Sequence, residues 1–330
     1  MKTMNIAVYE IRADEARDFE NAAARRGAVL SLHSENLTME NLDTVNGCTG
    51  VTTLGRTQFT RKLLEALKSR GVQYVSTRTI GYNHIDLDAA KALGIKVCNA
   101  NYAPTGVADY TVMLILLSLR KYKPALWRMQ VNDYSLAGLQ GREMKDLTVG
   151  ILGTGKIGAA VIRNLSGFGC RILASDVREN PSLAGLCTYV DADTLYRTCD
   201  VISLHTPLLE STRRLINRET LAKMKDGVML INCARGELMD FAAIIEGIES
   251  QKIGSLALDV FDKEEGIYHE NRRDDILANR DMAYLRQFPN VIMTQHMAFY
   301  TDAAVRSMVN CGVDGLCDFE ETGHTETELV

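Results

Sequence analysis

Four side chains of complementary chemistry stand just beyond short apolar runs in the second half of the chain. Arg235 follows the run 228–232, Asp259 and then Glu264 follow the run 255–258, and His296 follows the run 291–294. If these runs are parallel strands of one open sheet, all four residues meet at its carboxyl edge, where such sheets bind ligands. An unperturbed imidazole titrates near pH 6.5 and suits proton transfer around neutrality, and a carboxylate beside it, Glu264, favours the imidazolium form. Arg235 can hold a carboxylate through two parallel hydrogen bonds, a grip that lysine lacks. A proton donor and a carboxylate clamp are what reduction of a carbonyl next to a carboxylate requires, once another group brings the hydride. His205 stands at a comparable strand end, but its neighbours Thr206 and Pro207 point to a loop that shapes a pocket. His33, His84, His269 and His324 lack comparable company.

The hydride carrier is legible in Leu147 to Gly158. An apolar run is followed by Gly153, Thr154, Gly155, Lys156, Ile157 and Gly158, which open a helical pattern. Gly153 permits a tight turn, Gly155 lets backbone approach a pyrophosphate, and Gly158 lets the helix pack closely, with unpaired helical N–H groups facing the phosphates. A second apolar run, 170–175, ends at Asp176, 18 residues beyond Gly158. That carboxylate suits an adenosine ribose and repels a 2′-phosphate, which favours NAD over NADP.

These residues need a frame, and the chain alternates strand and helix patterns twice. Strands are predicted at 4–9, 28–33, 50–54, 72–78 and 95–99, with helices at 14–26, 60–70 and 87–93. A second set of strands covers 147–152, 170–175, 200–204, 228–232, 255–258 and 291–294. Alternation of this kind implies α/β architecture with two doubly wound parallel sheets. The long helix predicted over 106–122 is apolar nearly all round and must be buried on most sides, which suits an interface. The stretch 123–146 reads as polar and irregular, and 266–289 as a charged insertion with a helix over 281–288. A helix over 301–322 is predicted to return to the first domain, followed by a polar acidic tail.

With 330 residues there is room for two domains; 46% apolar and 24% charged residues are those of a soluble globular chain. The net charge of −5 and scattered basic residues argue against nucleic acid. The eight cysteines form no Cys-x-x-Cys pair and no zinc spacing, so no metal is expected and the thiols read as free in a reducing compartment. There is no signal-peptide pattern before the first strand and no membrane-length apolar run, so a cytoplasmic location is expected.

Several longer motifs then carry a resemblance: Gly-Thr-Gly-Lys-Ile-Gly at 153–158, Asn-Cys-Ala-Arg-Gly at 232–236, Ala-Leu-Asp-Val-Phe-Asp-Lys-Glu at 257–264, His-Met-Ala-Phe-Tyr-Thr at 296–301, and Ser-Thr-Arg-Thr-Ile-Gly-Tyr-Asn-His-Ile-Asp at 76–86. The chain resembles the D-isomer-specific 2-hydroxyacid dehydrogenases, and within them the bacterial D-lactate dehydrogenases. The resemblance implies a Rossmann NAD-binding domain, 102–300, inserted in a flavodoxin-like substrate domain formed by 1–101 and 301–330. It implies Arg235, Glu264 and His296 as the catalytic set. Cofactor contacts would come from Lys156, Ile157, Asp176, Thr206, Pro207, Thr212, Cys233, Ala234, Arg235 and Asp259, the last at the nicotinamide carboxamide. Substrate contacts would come from Arg78, the N–H groups of Ile80 and Gly81, Tyr102, Arg235 and His296. A homodimer through helix 106–122 is implied as well. The implied reaction is reversible hydride transfer between NADH and a 2-oxo acid, pyruvate first, or a bulkier acid such as 2-oxoisocaproate or phenylpyruvate. Alternatives are a hydroxypyruvate or glyoxylate reductase, or an NAD-sensing corepressor-like protein of the same fold. One departure is visible: Gln295 stands where the family usually has proline before the histidine, which leaves that backbone freer.

Overall fold

The computed structural model describes residues 3–277 and 279–330. The chain divides into two compact units, one formed by Met1–Ala103 with Tyr300–Val330 and the other by Pro104–Phe299. In the first, β1 (Asn5–Val8), α1 (Ala16–Arg26), β2 (Val29–Leu32), β3 (Gly50–Thr53), α2 (Arg61–Ser69), β4 (Tyr74–Thr77), α3 (Leu87–Leu93) and β5 (Lys96–Cys98) follow in order. The sheet runs β2-β1-β3-β4-β5 and its pairs are parallel. This is the flavodoxin-like order. Helix placement follows local chemistry: the Thr60 side chain caps α2 by accepting the Leu63 N–H, and Leu63, Leu64 and Leu67 turn one buried face to the sheet.

The second unit contains α4 (Thr105–Leu119), α5 (Tyr122–Met129), β6 (Thr148–Leu152), α6 (Lys156–Ser166), β7 (Arg171–Ser175), β8 (Thr188–Tyr189), α7 (Ala192–Thr198), β9 (Val201–Leu204), α8 (Arg218–Lys223), β10 (Val228–Asn232), α9 (Phe241–Glu249), β11 (Ile253–Leu258), α10 (Arg280–Leu285) and β12 (Val291–Met293). Its sheet runs β12-β11-β10-β9-β6-β7-β8, again with parallel pairing. Both faces are covered, so β9 and β10 are buried at every position, as their unbroken apolar runs require. The strand order reverses between β6 and β9, which places a ligand crevice at their carboxyl ends.

The chain returns to the first unit as α11 (Asp302–Thr322), which packs on α1 and over β3, β4 and β5. Arg25 and Arg26 of α1 pair with Asp314 and Asp318 of α11, each at 2.8 Å.

Three local features differ from the sequence reading. The region after α4 is not wholly irregular: α5 forms there, with Pro124 in its first turn, where the missing N–H costs nothing. A seventh strand, β8, extends the second sheet. The acidic tail does not hang free, because Val97 N–H donates to the Val330 carbonyl and Leu329 N–H to the Val97 carbonyl, covering the edge of β5.

Candidate active site

Because β10, β11 and β12 are neighbours, their carboxyl ends deliver Arg235, Asp259 and His296 to one edge. The buried Asn232 shapes the turn that carries Arg235. Its side-chain oxygen accepts the Ala234 N–H at 2.9 Å and its amide donates to the Arg235 carbonyl at 2.8 Å. Arg235 itself is part-exposed, with Nη1 donating to the Ala234 carbonyl at 2.7 Å. Gly236 is then pressed against the next loop: a Cβ there would lie 2.1 Å from the Phe261 carbonyl carbon and 2.3 Å from the Asp262 nitrogen. Only glycine lets the arginine turn lie on the loop that carries Glu264.

Glu264 and His296 form a half-buried pair, Nδ1 to Oε1 at 2.5 Å, while the second Glu264 oxygen accepts the Phe261 N–H at 2.8 Å. With Nδ1 engaged by a carboxylate, Nε2 is the imidazole position left to face a reactant. His296 has φ of 52°, a left-handed conformation uncommon outside glycine, so its surroundings must hold it there. Part of that hold comes from Asp259, which is 1% exposed. Its carboxylate accepts the Thr294 hydroxyl at 2.6 Å, the Met297 N–H at 2.9 Å and the Ala298 N–H at 2.8 Å. The carboxylate expected at the carboxamide of the cofactor thus also braces the loop of the histidine. His269, without company in the sequence, has its Nε2 3.1 Å from the His296 carbonyl oxygen.

At the other side of the strand reversal, Gly153 has φ of 94°, and a Cβ would lie 2.7 Å from the His205 carbonyl. A Cβ on Gly158 would lie 2.0 Å from the Gly153 carbonyl oxygen, whereas a Cβ on Gly155 would meet nothing within 4 Å. The loop therefore presents open backbone at Gly155, the N-cap of α6. Asp176 is exposed at the end of β7 and accepts the Thr154 N–H at 2.5 Å, the Thr154 hydroxyl at 3.1 Å and the Arg178 N–H at 3.1 Å. Partial burial works against its ionisation, but these hydrogen bonds outweigh it and hold the carboxyl below its usual range. The Thr154 side chain is buried, with its hydroxyl also accepting from Tyr189 at 3.0 Å, so it braces the loop from beneath. Tyr189 belongs to β8 and was not singled out in the sequence. The Thr206 hydroxyl is buried without a protein partner, Thr212 closes its turn by donating to the Pro207 carbonyl at 2.6 Å, and burial pushes the Cys233 thiol up to about 12, which makes it inert. His205 is likewise no proton donor: burial pushes it down to about 4, and its Nε2 is 2.8 Å from the Ser203 hydroxyl.

Within the first unit, the expectation that the Arg78 side chain binds substrate is corrected. Arg78 is fully buried, donating to the Tyr9 and Glu10 carbonyls at 3.1 and 3.2 Å and facing Glu15 at 3.5 Å. It organises the core under the carboxyl edge of β1 and β4. The loop it begins does turn outward. The Thr79 carbonyl accepts from Ala100 N–H and the Ile80 carbonyl from Asn99, so in planar trans peptides the N–H groups of Ile80 and Gly81 point the opposite way. Tyr102 lies part-exposed beyond β5.

Residues 112–298 match the family described as D-isomer specific 2-hydroxyacid dehydrogenase, NAD binding domain. An aromatic 2-oxoacid reductase of Clostridium sporogenes is 40% identical over 329 residues, 99% of either chain. A D-lactate dehydrogenase of Escherichia coli is 37% identical over 99% of this chain and 100% of its own. The chain belongs to the D-isomer specific 2-hydroxyacid dehydrogenase family. Among solved structures, D-2-hydroxyisocaproate dehydrogenase superposes with a TM-score of 0.90 at 31% identity, covering 99% of each chain. The D-2-hydroxyacid dehydrogenase fold accounts for both parallel sheets, and the enzyme is an NAD-dependent oxidoreductase. Open backbone at Gly155, the helix N-terminus behind it, the Asp176 carboxylate and the orphan Thr206 hydroxyl all fit that dinucleotide. Among the described residues no cluster suited to a metal ion occurs, all eight cysteines are free thiols, and no helix is long and apolar enough to cross a membrane.

Proposed function

We propose that this dehydrogenase reduces 2-oxo acids with bulky apolar side chains, phenylpyruvate or 2-oxoisocaproate ahead of pyruvate, to the D-2-hydroxy acids. The observation that carries the chemistry is the 2.5 Å pairing of Glu264 with His296 on a loop edge shared with Arg235. NADH, when bound, would supply the hydride to the carbonyl carbon. His296 gives its Nε2 proton to the carbonyl oxygen, Glu264 holds the ring in place through Nδ1, and Arg235 grips the carboxylate and so aligns the carbonyl. Gly155, Lys156, Ile157, Gly158, Asp176, Thr206, Pro207, Thr212, the 233–235 turn and Asp259 hold the cofactor. The first unit acts as the substrate-binding domain, with Ile80 and Gly81 offering N–H donors and Tyr102 a further contact.

The preference for bulk is supported by rings around the proton donor. Phe299 stands edge-on to His296 and to His269, with centroids 6.2 Å apart in each case. It is supported also by the aromatic and isocaproate substrates in the names of the reductase and structure compared above. A panel of glyoxylate, pyruvate, 2-oxoisocaproate and phenylpyruvate with saturating NADH tests it. Burying a benzyl or isobutyl group in place of a methyl is worth about 2 kcal/mol, so kcat/KM should favour a bulky acid over pyruvate by roughly 30-fold. A maximum at pyruvate or glyoxylate would overturn the preference.

The enzyme is proposed to be a cytoplasmic homodimer. Free thiols support the reducing compartment. For the dimer, α4 is largely buried within its own unit, and the exposed apolar surface continues beyond it: Leu126, Trp127, Met129, Val131, Tyr134 and Leu136 are 43–82% exposed. A stretch of this kind marks an interaction surface, and a second copy of the chain is the occupant proposed. Light scattering should give twice the mass of one chain.

A further inference from the structure

His269 lies in the charged interval 266–289 between β11 and β12, which the sequence presents as a solvated insertion. In the fold its Nε2 is 3.1 Å from the carbonyl oxygen of His296. The direction of this bond is forced. A carbonyl only accepts, so His269 carries its proton on Nε2 in either charge state. The bond lands at a residue whose backbone needs support, since φ of His296 is 52°. On one side Thr294, and on the other Met297 and Ala298, are tied to Asp259, so the loop is fixed around the histidine. At the His296 carbonyl itself the tie is His269. The His269 ring also lies 6.2 Å from the rings of both His296 and Phe299.

We propose that His269 is a positioning residue for the proton donor: its Nε2–H holds the His296 main chain in the left-handed turn from which the imidazole meets Glu264. The insertion is then part of the scaffold of the site. The inference rests on the reading of His296 as proton donor, and the two can fail separately. Placement of that donor matters when the proton moves and little when the substrate binds, so its loss falls on kcat and leaves KM nearly alone.

Four variants of the full chain, assayed with NADH and phenylpyruvate or whichever 2-oxo acid turns over fastest, test it. His269→Phe keeps a ring against Phe299 and removes the donor; His269→Leu is a second variant without a donor; His269→Gln puts an amide N–H at a similar reach; His296→Asn tests the premise. Expected are a loss of at least about 100-fold in kcat for His296→Asn, and of about tenfold for His269→Phe and His269→Leu, the worth of one hydrogen bond. KM and NADH affinity should stay within twofold, and His269→Gln should return to within about threefold of wild type. Because His269 is exposed, thermal midpoints should be nearly equal. A kcat for both donor-less variants within twofold of wild type, or a glutamine variant as slow as they are, overturns the proposal alone. Near-normal turnover of His296→Asn overturns its premise and the proposal together.

Discussion

Replacing Asp259 by asparagine separates two roles open to this carboxylate, bracing the loop of His296 and meeting the cofactor. In the wild type it is 1% exposed and accepts the Thr294 hydroxyl and the N–H groups of Met297 and Ala298 at 2.6, 2.9 and 2.8 Å. Asparagine has the same shape but one acceptor oxygen and one donor group. Whichever way it sits, its NH2 faces a main-chain N–H, at Ala298 or at Met297. That buried donor loses its acceptor, at about 1–3 kcal/mol, and the remaining bonds lose their charge assistance, about 1 kcal/mol more. Roughly 3 kcal/mol in a unit of about 200 residues lowers the thermal midpoint by about 6–12 °C. Melting curves without cofactor, beside steady-state kinetics with NADH, provide the assay. The midpoint should fall with no dinucleotide present, and kcat should fall with it because the loop carries His296. If the midpoint stays within about 1 °C while NADH affinity drops, Asp259 serves the cofactor alone and the bracing argument is refuted.

Other perturbations address the remaining residues. Arg235→Lys keeps the charge but loses the planar two-point grip, so KM for the 2-oxo acid should rise and kcat fall, together about 100-fold in kcat/KM, with NADH binding unchanged; intact 2-oxo acid kinetics would place the carboxylate elsewhere. Asp176→Ala should weaken NADH binding and narrow the gap to NADPH in fluorescence titrations, and a wild type that already takes both equally would contradict the ribose assignment. His205 titrates at about 4 in the fold against about 6.5 in the unfolded chain. Between those values the unfolded chain binds the extra proton, so stability is full above pH 6.5 and falls toward pH 4 by on the order of 3 kcal/mol. Urea midpoints of His205→Asn should fall less steeply over that range than those of wild type, and equal slopes would show that His205 is not held neutral.

What the sequence made legible were features encoded in short contiguous stretches. The glycine fingerprint, the apolar strands and the polar residues just after them are local, and in a parallel sheet the strand end alone decides which edge a residue reaches. The architecture of two parallel sheets followed because strand and helix patterns alternate twice along the chain. What was hidden depends on partners distant in sequence. Arg78 reads as an exposed loop cation until Glu15 and the Tyr9 carbonyl, more than 60 residues away, close around it. Asp259 reads as a strand-end acid until residues 294–298 fold back onto it. His269 gains a partner only when the insertion returns to β12. The strand β8 spans two residues, too few for any alternation to register, yet it carries the Tyr189 hydroxyl to Thr154.

The role proposed for His296, paired with Glu264, is to protonate a carbonyl while NADH reduces it to the D-alcohol. It is tested most directly by chiral chromatography of the product from phenylpyruvate and NADH, run in parallel with wild type and His296→Asn. Expected are the D enantiomer alone from wild type and a loss of at least about 100-fold in turnover for the variant at nearly unchanged NADH affinity. An L or racemic product, or a variant that turns over like wild type, would contradict it.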